Sequence, residues 1–413
     1  MVALISVAVQ CYHRKCQGEP EEKMPKIDVL ERSNSKLKVR QITLALTEDC
    51  NLRCRYCYEP NKSRDHYMDL ATAKKILYDY TVADDGFETV QFDFFGGEPM
   101  MAFNLIREAV DWFHTQPWPK NHIFYIGTNG TILTNEMKDW LVKNKGCVHI
   151  GVSLDGNKQA HDINRSNSYN QVMQNLPFYR EHWPNQPVKM TISAETIPYV
   201  ADSIISLEEM EIPSTANVVF ENIWGAPEQK IALLKVYEQQ LDRLVEYYTT
   251  HSELFPALLL DRRLEYVLRS DESVPHLRED TRWCGAGIEM LMFDTNGNQF
   301  PCHRFSPWVT GRPAPAIQVN QQKQWKPDKC AECRLVEMCP VCAGFNWQEN
   351  SDPEIRTTYH CEAFKLEVMA SAKLQVARLM QKTSQDVINL PREDVSNIQR
   401  QIDMIFELVE EGL

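Results

Sequence analysis

Cys50, Cys54 and Cys57 stand in the run Thr47-Glu48-Asp49-Cys50-Asn51-Leu52-Arg53-Cys54-Arg55-Tyr56-Cys57. The C-x3-C-x2-C spacing puts three thiols on one short loop, with no fourth cysteine near in sequence. A [4Fe–4S] cluster is normally held by four thiolates. Three leave one iron open, and an open metal position marks a reactive site rather than a structural one. The alternative is a zinc site completed by a histidine, for which His66 is the nearest downstream candidate. Zinc ligands usually arrive as two C-x2-C or H-x3-H halves, and only one half is present here.

A second constellation follows far downstream. Cys284-x12-Gly297-x4-Cys302 precedes Cys330-x2-Cys333-x5-Cys339-x2-Cys342 and, after eighteen residues, Cys361. Taken alone, Cys330/Cys333 with Cys339/Cys342 would suit a zinc ribbon. The gap between those halves is short for a ribbon, and Cys284, Cys302 and Cys361 would be unexplained. Cys11 and Cys16, with His13 between them, read as ordinary free thiols, and Cys147 beside an apolar run as core.

These groups need a scaffold, and the chain supplies an alternation. Apolar runs of strand length occur at Gln41–Leu46, Val90–Phe95, Ile123–Gly127, Val148–Ser153, Val188–Ser193 and Asn217–Glu221. Stretches of helical period lie between them at Leu70–Thr81, Asn104–His114, Asn135–Val142, Asn170–Tyr179 and Tyr199–Met210. Six strand–helix units predict an α/β fold with a parallel sheet that curls into a partial (β/α)6 barrel of TIM type. The cysteine loop then follows strand one, Gly96-Gly97-Glu98 ends strand two and Ser153 ends strand four. Carboxyl ends of parallel barrel strands are where such folds place their sites.

The expected organisation is an N-terminal segment and linker (1–38), the barrel (39–225), bridging helices (226–283), a loop-rich cysteine-dense domain (284–363) and C-terminal helices (364–413). Helices are expected at Gln229–Thr250, Glu253–Ser270, Phe364–Gln385 and Arg392–Glu411, and a buried edge strand at Met1–Val9. That apolar opening lacks a basic flank and is too short to span a bilayer. The chain has 413 residues, 43% hydrophobic and 24% charged, and a formal charge of −13, which argues against nucleic acid as a partner. Thirteen cysteines grouped in metal-like clusters within a large chain point to reduced thiols in a cytoplasm.

With Tyr56 before its last cysteine, the first loop resembles that of the radical S-adenosylmethionine (SAM) enzymes. Phe94-Phe95-Gly96-Gly97-Glu98-Pro99 resembles the family's GGEP motif, Gly127-Thr128-Asn129-Gly130 its third-strand turn, and Ser153-Leu154-Asp155-Gly156 with His161-x3-Arg165 its SAM ribose and carboxylate segment. The seven downstream cysteines resemble the SPASM extension, so that the likeness covers about residues 40 to 365. It implies three [4Fe–4S] clusters: one that binds SAM at Cys50, Cys54 and Cys57, and two auxiliary ones. By position, Cys330, Cys333, Cys339 and Cys361 would hold one auxiliary cluster, and Cys284, Cys302 and Cys342 the other. Cys339 and Cys342 have two residues between them where the family more often has three, which leaves the cluster served by Cys342 open. A fourth ligand to that cluster could come from substrate, from His303 or from water.

The resemblance further implies that Glu98 binds the SAM amino group, with Gly96 and Gly97 allowing backbone approach. Ser153 would meet the ribose, Arg165 the SAM carboxylate, and Tyr56 the adenine or cluster, with Asn129 near ribose or substrate. Asp155 would orient the ribose loop or face the substrate, and His161 would position the Arg165 segment. The implied activity is reductive cleavage of SAM to a 5′-deoxyadenosyl radical that abstracts hydrogen from a precursor peptide. An oxidative intramolecular cross-link follows, a thioether by preference and a carbon–carbon bond next. The implied partners are that peptide, a reductant such as flavodoxin or ferredoxin, and a separate leader-recognition protein. Two alternatives stand beside it. An anaerobic sulfatase maturase would carry aspartate where this chain has His303, and a non-catalytic Fe–S or zinc scaffold would have no use for Glu98, Ser153 and Arg165.

Overall fold

The computed structural model describes residues 39–260, 285–311, 330, 333, 335, 339–381 and 403. Successive side chains of a strand point to opposite faces, and here the two faces differ sharply. Ile42, Leu44 and Leu46 of strand β1 (Val39–Thr47), Val90, Phe92 and Phe94 of β2 (Thr89–Gly96), and Phe124 and Ile126 of β3 (Asn121–Thr128) all enter one apolar core. Val148, Ile150 and Val152 of β4 (Val148–Val152) join them, as do Val188, Met190 and Ile192 of β5 (Val188–Ile192) and Ala216 of β6 (Ser214–Val218). The intervening residues, among them Gln91, Asp93, Tyr125, Gly127, His149, Gly151, Lys189 and Thr191, therefore line the other face. One side of the curled sheet is sealed by helices, and the interior side carries these residues together with Ala45 and Phe95, which join an apolar cluster with Cys302, Phe305 and Trp308.

The helices carry the matching stripes. Between β1 and β2 lies α1 (Leu70–Val82), capped by the Asp69 carboxylate accepting from the Thr72 amide at 2.8 Å. Then come α2 (Phe103–Phe113), α3 (Asn135–Asn144), α4 (Lys158–Asn164), α5 (Tyr169–His182) and α6 (Val200–Glu209). Phe113 of α2 packs on Phe92 and Phe124, with ring centroids 6.0 and 5.3 Å away.

All pairs among β1–β4 are parallel, in the order β4-β3-β2-β1. β5 and β6 form a second parallel pair, tied to the end of β4 by the bridge between Ser153 and Lys189. This is the partial (β/α)6 barrel that the alternation predicts. The sixth strand starts and ends earlier than the apolar run Asn217–Glu221 suggests, because pairing of Val188–Ile192 with Ser214–Val218 sets its register.

Beyond β6, α7 (Pro227–Thr250) runs along the barrel. The helix expected at Glu253–Ser270 is not formed over residues 253–260, which are turns and loop, and 261–270 lie outside the described residues. So do Met1–Val9, the linker, Cys11, Cys16, Cys284 and nearly all of Arg392–Glu411. The cysteine-rich region does not begin as a separate unit: β7 (Met290–Phe293) pairs in parallel with β1, and β8 (Gln299–Phe300) pairs antiparallel with β7. The barrel sheet thus runs directly into the cysteine-rich region. Two short helices, α8 (Pro307–Thr310) and α9 (Ala343–Asn350), precede α10 (Cys361–Met380). α10 packs on α7, where the Tyr237 hydroxyl donates to Glu367 at 2.9 Å. Among the described residues no helix is long and apolar enough to cross a membrane.

Candidate active site at the barrel mouth

The loop after β1 is held by main-chain bonds to the turn after β2. The Gly97 amide donates to the Thr47 carbonyl at 2.9 Å, and the Glu98 amide to the Asp49 carbonyl at 2.8 Å. A Cβ on Gly96, at φ +138°, would sit 2.1 Å from the Thr47 carbonyl oxygen. One on Gly97 would lie 2.2 Å from the Asp49 oxygen and 2.9 Å from Cys50 Cβ. The two glycines let the turn press on the cysteine loop, a contact within the protein that comes before any approach of a ligand.

Glu98 is 1% exposed. Its Oε1 accepts from the Met100 amide at 3.0 Å and from Thr128 Oγ1 at 2.7 Å, and its Oε2 from the Asn129 amide at 2.7 Å. Burial pushes the carboxyl pKa up, and these donors pull it back. A carboxylate offers about four acceptor sites, so the cap on the 3-10 turn Pro99–Ala102 and the two bonds from Thr128 and Asn129 use three and leave room for one ammonium donor. Asn129 is spent within the protein: its amide donates to Asn51 at 2.8 Å and its oxygen accepts from the Thr131 amide at 3.0 Å.

Asp155 is the hub of the opposite wall. Its Oδ1 accepts from the Thr191 amide at 2.9 Å, and its Oδ2 from the Tyr56 hydroxyl at 2.9 Å and Asn164 Nδ2 at 3.2 Å. The Arg165 guanidinium forms an ion pair with it at 2.9 Å and lies 5.3 Å from the Tyr56 ring centroid. The cysteine loop docks on the end of α4 through Arg55 N to the Asn164 carbonyl at 2.8 Å and Arg53 N to Ser166 Oγ at 3.0 Å. His161 holds this segment from inside, accepting from the Asp155 amide at 3.2 Å on Nδ1. Ser153 sits at the β4–β5 bridge facing the same space.

Cys50 is buried, and burial raises the thiol pKa of both Cys50 and Cys54. Lys62 opposes this: its ammonium is held up by the charges of Cys57, Cys50, Glu59 and Cys54. Soft sulfur donors gathered on one loop, with a cation set against their charge and three acceptor bonds already pre-organising Glu98, fit a SAM-binding iron–sulfur cluster. His66, the histidine that a zinc site would require, instead meets Glu48 with its Nδ1 at 2.7 Å.

Cys339 is raised to about 12, chiefly by burial, and the charges of Cys361, Cys333 and Cys330 act on it. Cys330, Cys339 and Cys361 line one pocket with Arg356 and His360. Cys342 lines the same pocket and is also under the field of Arg304 and Glu221. Cys302 begins a segment that closes over the barrel mouth. The ring of His303 stacks between Tyr58 and Phe95, with centroids at 5.3 and 5.0 Å. Arg304 lies 4.4 Å from the Tyr58 centroid and pairs with Glu221 at 2.8 Å. Cys284, the expected partner of Cys302 and Cys342, lies outside the described residues. Sequence reasoning missed Asn51, Lys62, Asn164 and Thr191, which hold the site together through loop contacts without periodicity; only Asn51, inside the cysteine run, carried a signal.

Residues 44–194 match the radical SAM superfamily. An uncharacterised protein of Methanocaldococcus jannaschii is 34% identical over 127 residues, which are 31% of this chain and 42% of that one. The Fe-coproporphyrin III synthase of Methanosarcina barkeri is 26% identical over 357 residues, covering 78% of this chain and 86% of its own. In fold, the chain is similar to anSMEcpe with bound AdoMet and Cp18Cys peptide, at TM-score 0.61 and 15% identity over 83% of this chain and 99% of that one. It is also similar to Streptococcus suis SuiB bound to precursor peptide SuiA, at TM-score 0.51 and 14% identity over 86% and 89%. The cysteine loop, the Glu98 turn and the Asp155 hub at the mouth of this barrel, together with these matches, identify residues 44–194 as a radical SAM domain in a chain whose fold resembles that of peptide-bound anSMEcpe and SuiB.

Proposed function

We propose that the chain is a peptide maturase that forms an oxidative intramolecular cross-link, a thioether by preference and a carbon–carbon bond next. The observation that carries this is the docking of the Cys302–Arg304 segment on the barrel mouth through Tyr58 and Phe95, beside the cysteine loop. A substrate held in the barrel would touch the SAM site on one side and the cysteine-rich region on the other.

A cluster held by Cys50, Cys54 and Cys57 would supply the electron that cleaves SAM to methionine and the hydrogen-abstracting 5′-deoxyadenosyl radical. The protein's own residues do the rest. Glu98 is placed to receive an ammonium, Ser153 a ribose hydroxyl, and Arg165 a carboxylate with the part of its fork that Asp155 leaves free. The buried walls exclude water from the reacting carbon. Cys330, Cys333, Cys339 and Cys361 suit a fully ligated auxiliary cluster, and Cys302 and Cys342 with Cys284 a three-thiolate one. Such clusters give the electron of the substrate radical somewhere to go. The two similar solved structures hold peptides by their own description.

The test is anaerobic reconstitution followed by mass spectrometry after co-expression with short open reading frames from the same genomic neighbourhood. The expected results are about eight or more irons per chain, dithionite-dependent 5′-deoxyadenosine, and a peptide lighter by two hydrogens. A sulfatase maturase would instead convert Cys or Ser to formylglycine. The long match to an Fe-coproporphyrin III synthase favours a second reading, action on a porphyrin. An iron porphyrin that binds tightly and is consumed, with no peptide changed, would establish that reading and overturn the first.

A further inference from the structure

The barrel interior holds a cation that the SAM machinery does not use. We infer that Lys189 is the anion-recognising residue of the substrate pocket and takes a carboxylate group of the substrate.

Val188 and Met190 on either side of Lys189 belong to the apolar core, so strand alternation turns Lys189 inward. It sits at the bridge to Ser153, level with the carboxyl end of β4. Its ammonium lies 4.8 Å from the Tyr125 ring centroid. The space for this arrangement is made by two glycines. A Cβ on Gly151 would fall 1.7 Å from the Tyr125 hydroxyl oxygen, and one on Gly127 would lie 3.8 Å from Lys189 Nζ. Gly127 and Gly151 are register partners on β3 and β4, and the room they leave is taken by the Tyr125 ring and hydroxyl beside the Lys189 ammonium.

The carboxylate that acts on Lys189 most is Asp93, which gives its oxygens elsewhere. Oδ1 accepts from Gln91 Nε2 at 2.6 Å, and Oδ2 accepts from Gln41 Nε2. An ammonium has three donors, and the Tyr125 hydroxyl takes one of them. His303, at the lid of the same space, lies within the field of Lys189. A positive donor on the inner wall, set against the Tyr125 ring and facing an aromatic-stacked imidazole, suits a planar anion of carboxylate size. Neutral groups of the same shape would leave the ammonium desolvated and unmatched.

This inference rests on the barrel interior being the substrate side, but its test needs no peptide. Saturation-transfer NMR would be recorded on the reconstituted full chain with SAM bound, using glutarate and its uncharged analogue glutaramide as probes. Glutarate should respond and glutaramide should not. Lys189→Met should weaken the glutarate response at least tenfold, and Lys189→Arg should restore it to within about threefold. Iron content and circular dichroism would establish that each variant is folded. N-acetylglutamate α-amide and N-acetylglycine then separate a side-chain carboxylate from a chain-terminal one, and a response to either supports the site. Equal response to glutarate and glutaramide, or an unchanged response in Lys189→Met, would overturn the proposal while leaving the peptide reading untouched.

Discussion

The guanidinium of Arg165 and the carboxylate of Asp155 lie 2.9 Å apart, and neither side chain is more than 8% exposed. Arg165 is thereby fixed before any ligand arrives, with its charge matched and its plane set against Tyr56. Breaking a buried pair by removing one partner typically costs about 3–5 kcal/mol, because the other charge is left uncompensated. Asp155→Asn should therefore lower the melting temperature and weaken SAM binding by well over tenfold. The double variant Asp155→Asn/Arg165→Met should be more stable than Asp155→Asn alone, since it removes the stranded charge. A double variant less stable than either single one would refute the uncompensated-charge account.

Tyr56 gives a smaller, graded expectation. Its hydroxyl donates to Asp155 at 2.9 Å while its ring meets Arg165. Tyr56→Phe removes the hydrogen bond and keeps the ring, so SAM affinity should fall by about 1 kcal/mol, or several-fold. Tyr56→Ala should cost much more. Isothermal titration with SAM on the reconstituted protein separates the two, and equal losses would mean the ring contributes nothing.

Gly97 tests whether the turn and the cysteine loop form one unit. A methyl group there meets the Asp49 carbonyl oxygen at 2.2 Å, a backbone contact that no side-chain rotation relieves. Gly97→Ala should part the turn from the loop, so the protein should fold but retain little iron–sulfur absorbance. It should match Cys50→Ala, Cys54→Ala and Cys57→Ala in yielding no 5′-deoxyadenosine. Full cluster content in Gly97→Ala would show that the loop does not depend on the turn.

Much of this was legible in the chain because it repeats. The barrel strands alternate, so their existence and inner faces follow from period two, and the cysteine spacings announce themselves. What was not legible is what depends on pairing in space. That Glu98 both caps a helix and accepts from Thr128, or that Asn164 reaches the Cys54 loop, follows from the meeting of β2, β3 and α4 ends. β7 was hidden for a similar reason: Met290–Phe293 is four residues long, and it is a strand because the edge of β1 is there to receive it. Lys189 in an otherwise apolar run reads as a surface residue until β5 is closed against β4.

His161 provides the pH test. It is fully buried, its Nδ1 accepts from the Asp155 amide at 3.2 Å, and its Nε2 lies 3.0 Å from Ser168 Oγ. The ring is thus needed neutral, with its proton on Nε2. Burial, with Arg165 adding to it, lowers the pKa from 6.5 to about 4. Below pH 6.5 the unfolded chain takes up a proton that the native state refuses, so stability is full above that value and drains as pH falls toward 4. The shift corresponds to about 3 kcal/mol across the window. His161→Gln keeps an acceptor for the Asp155 amide but does not titrate. Melting temperatures of the two proteins, compared from pH 8 to pH 5, should run parallel above about 6.5 and diverge below it, with the wild type falling faster. SAM affinity should follow the same divergence, because the ring holds Asp155 through its amide and Asp155 in turn pairs with Arg165 at 2.9 Å. Curves that stay parallel to pH 5 would mean that His161 packs the segment without its protonation state mattering.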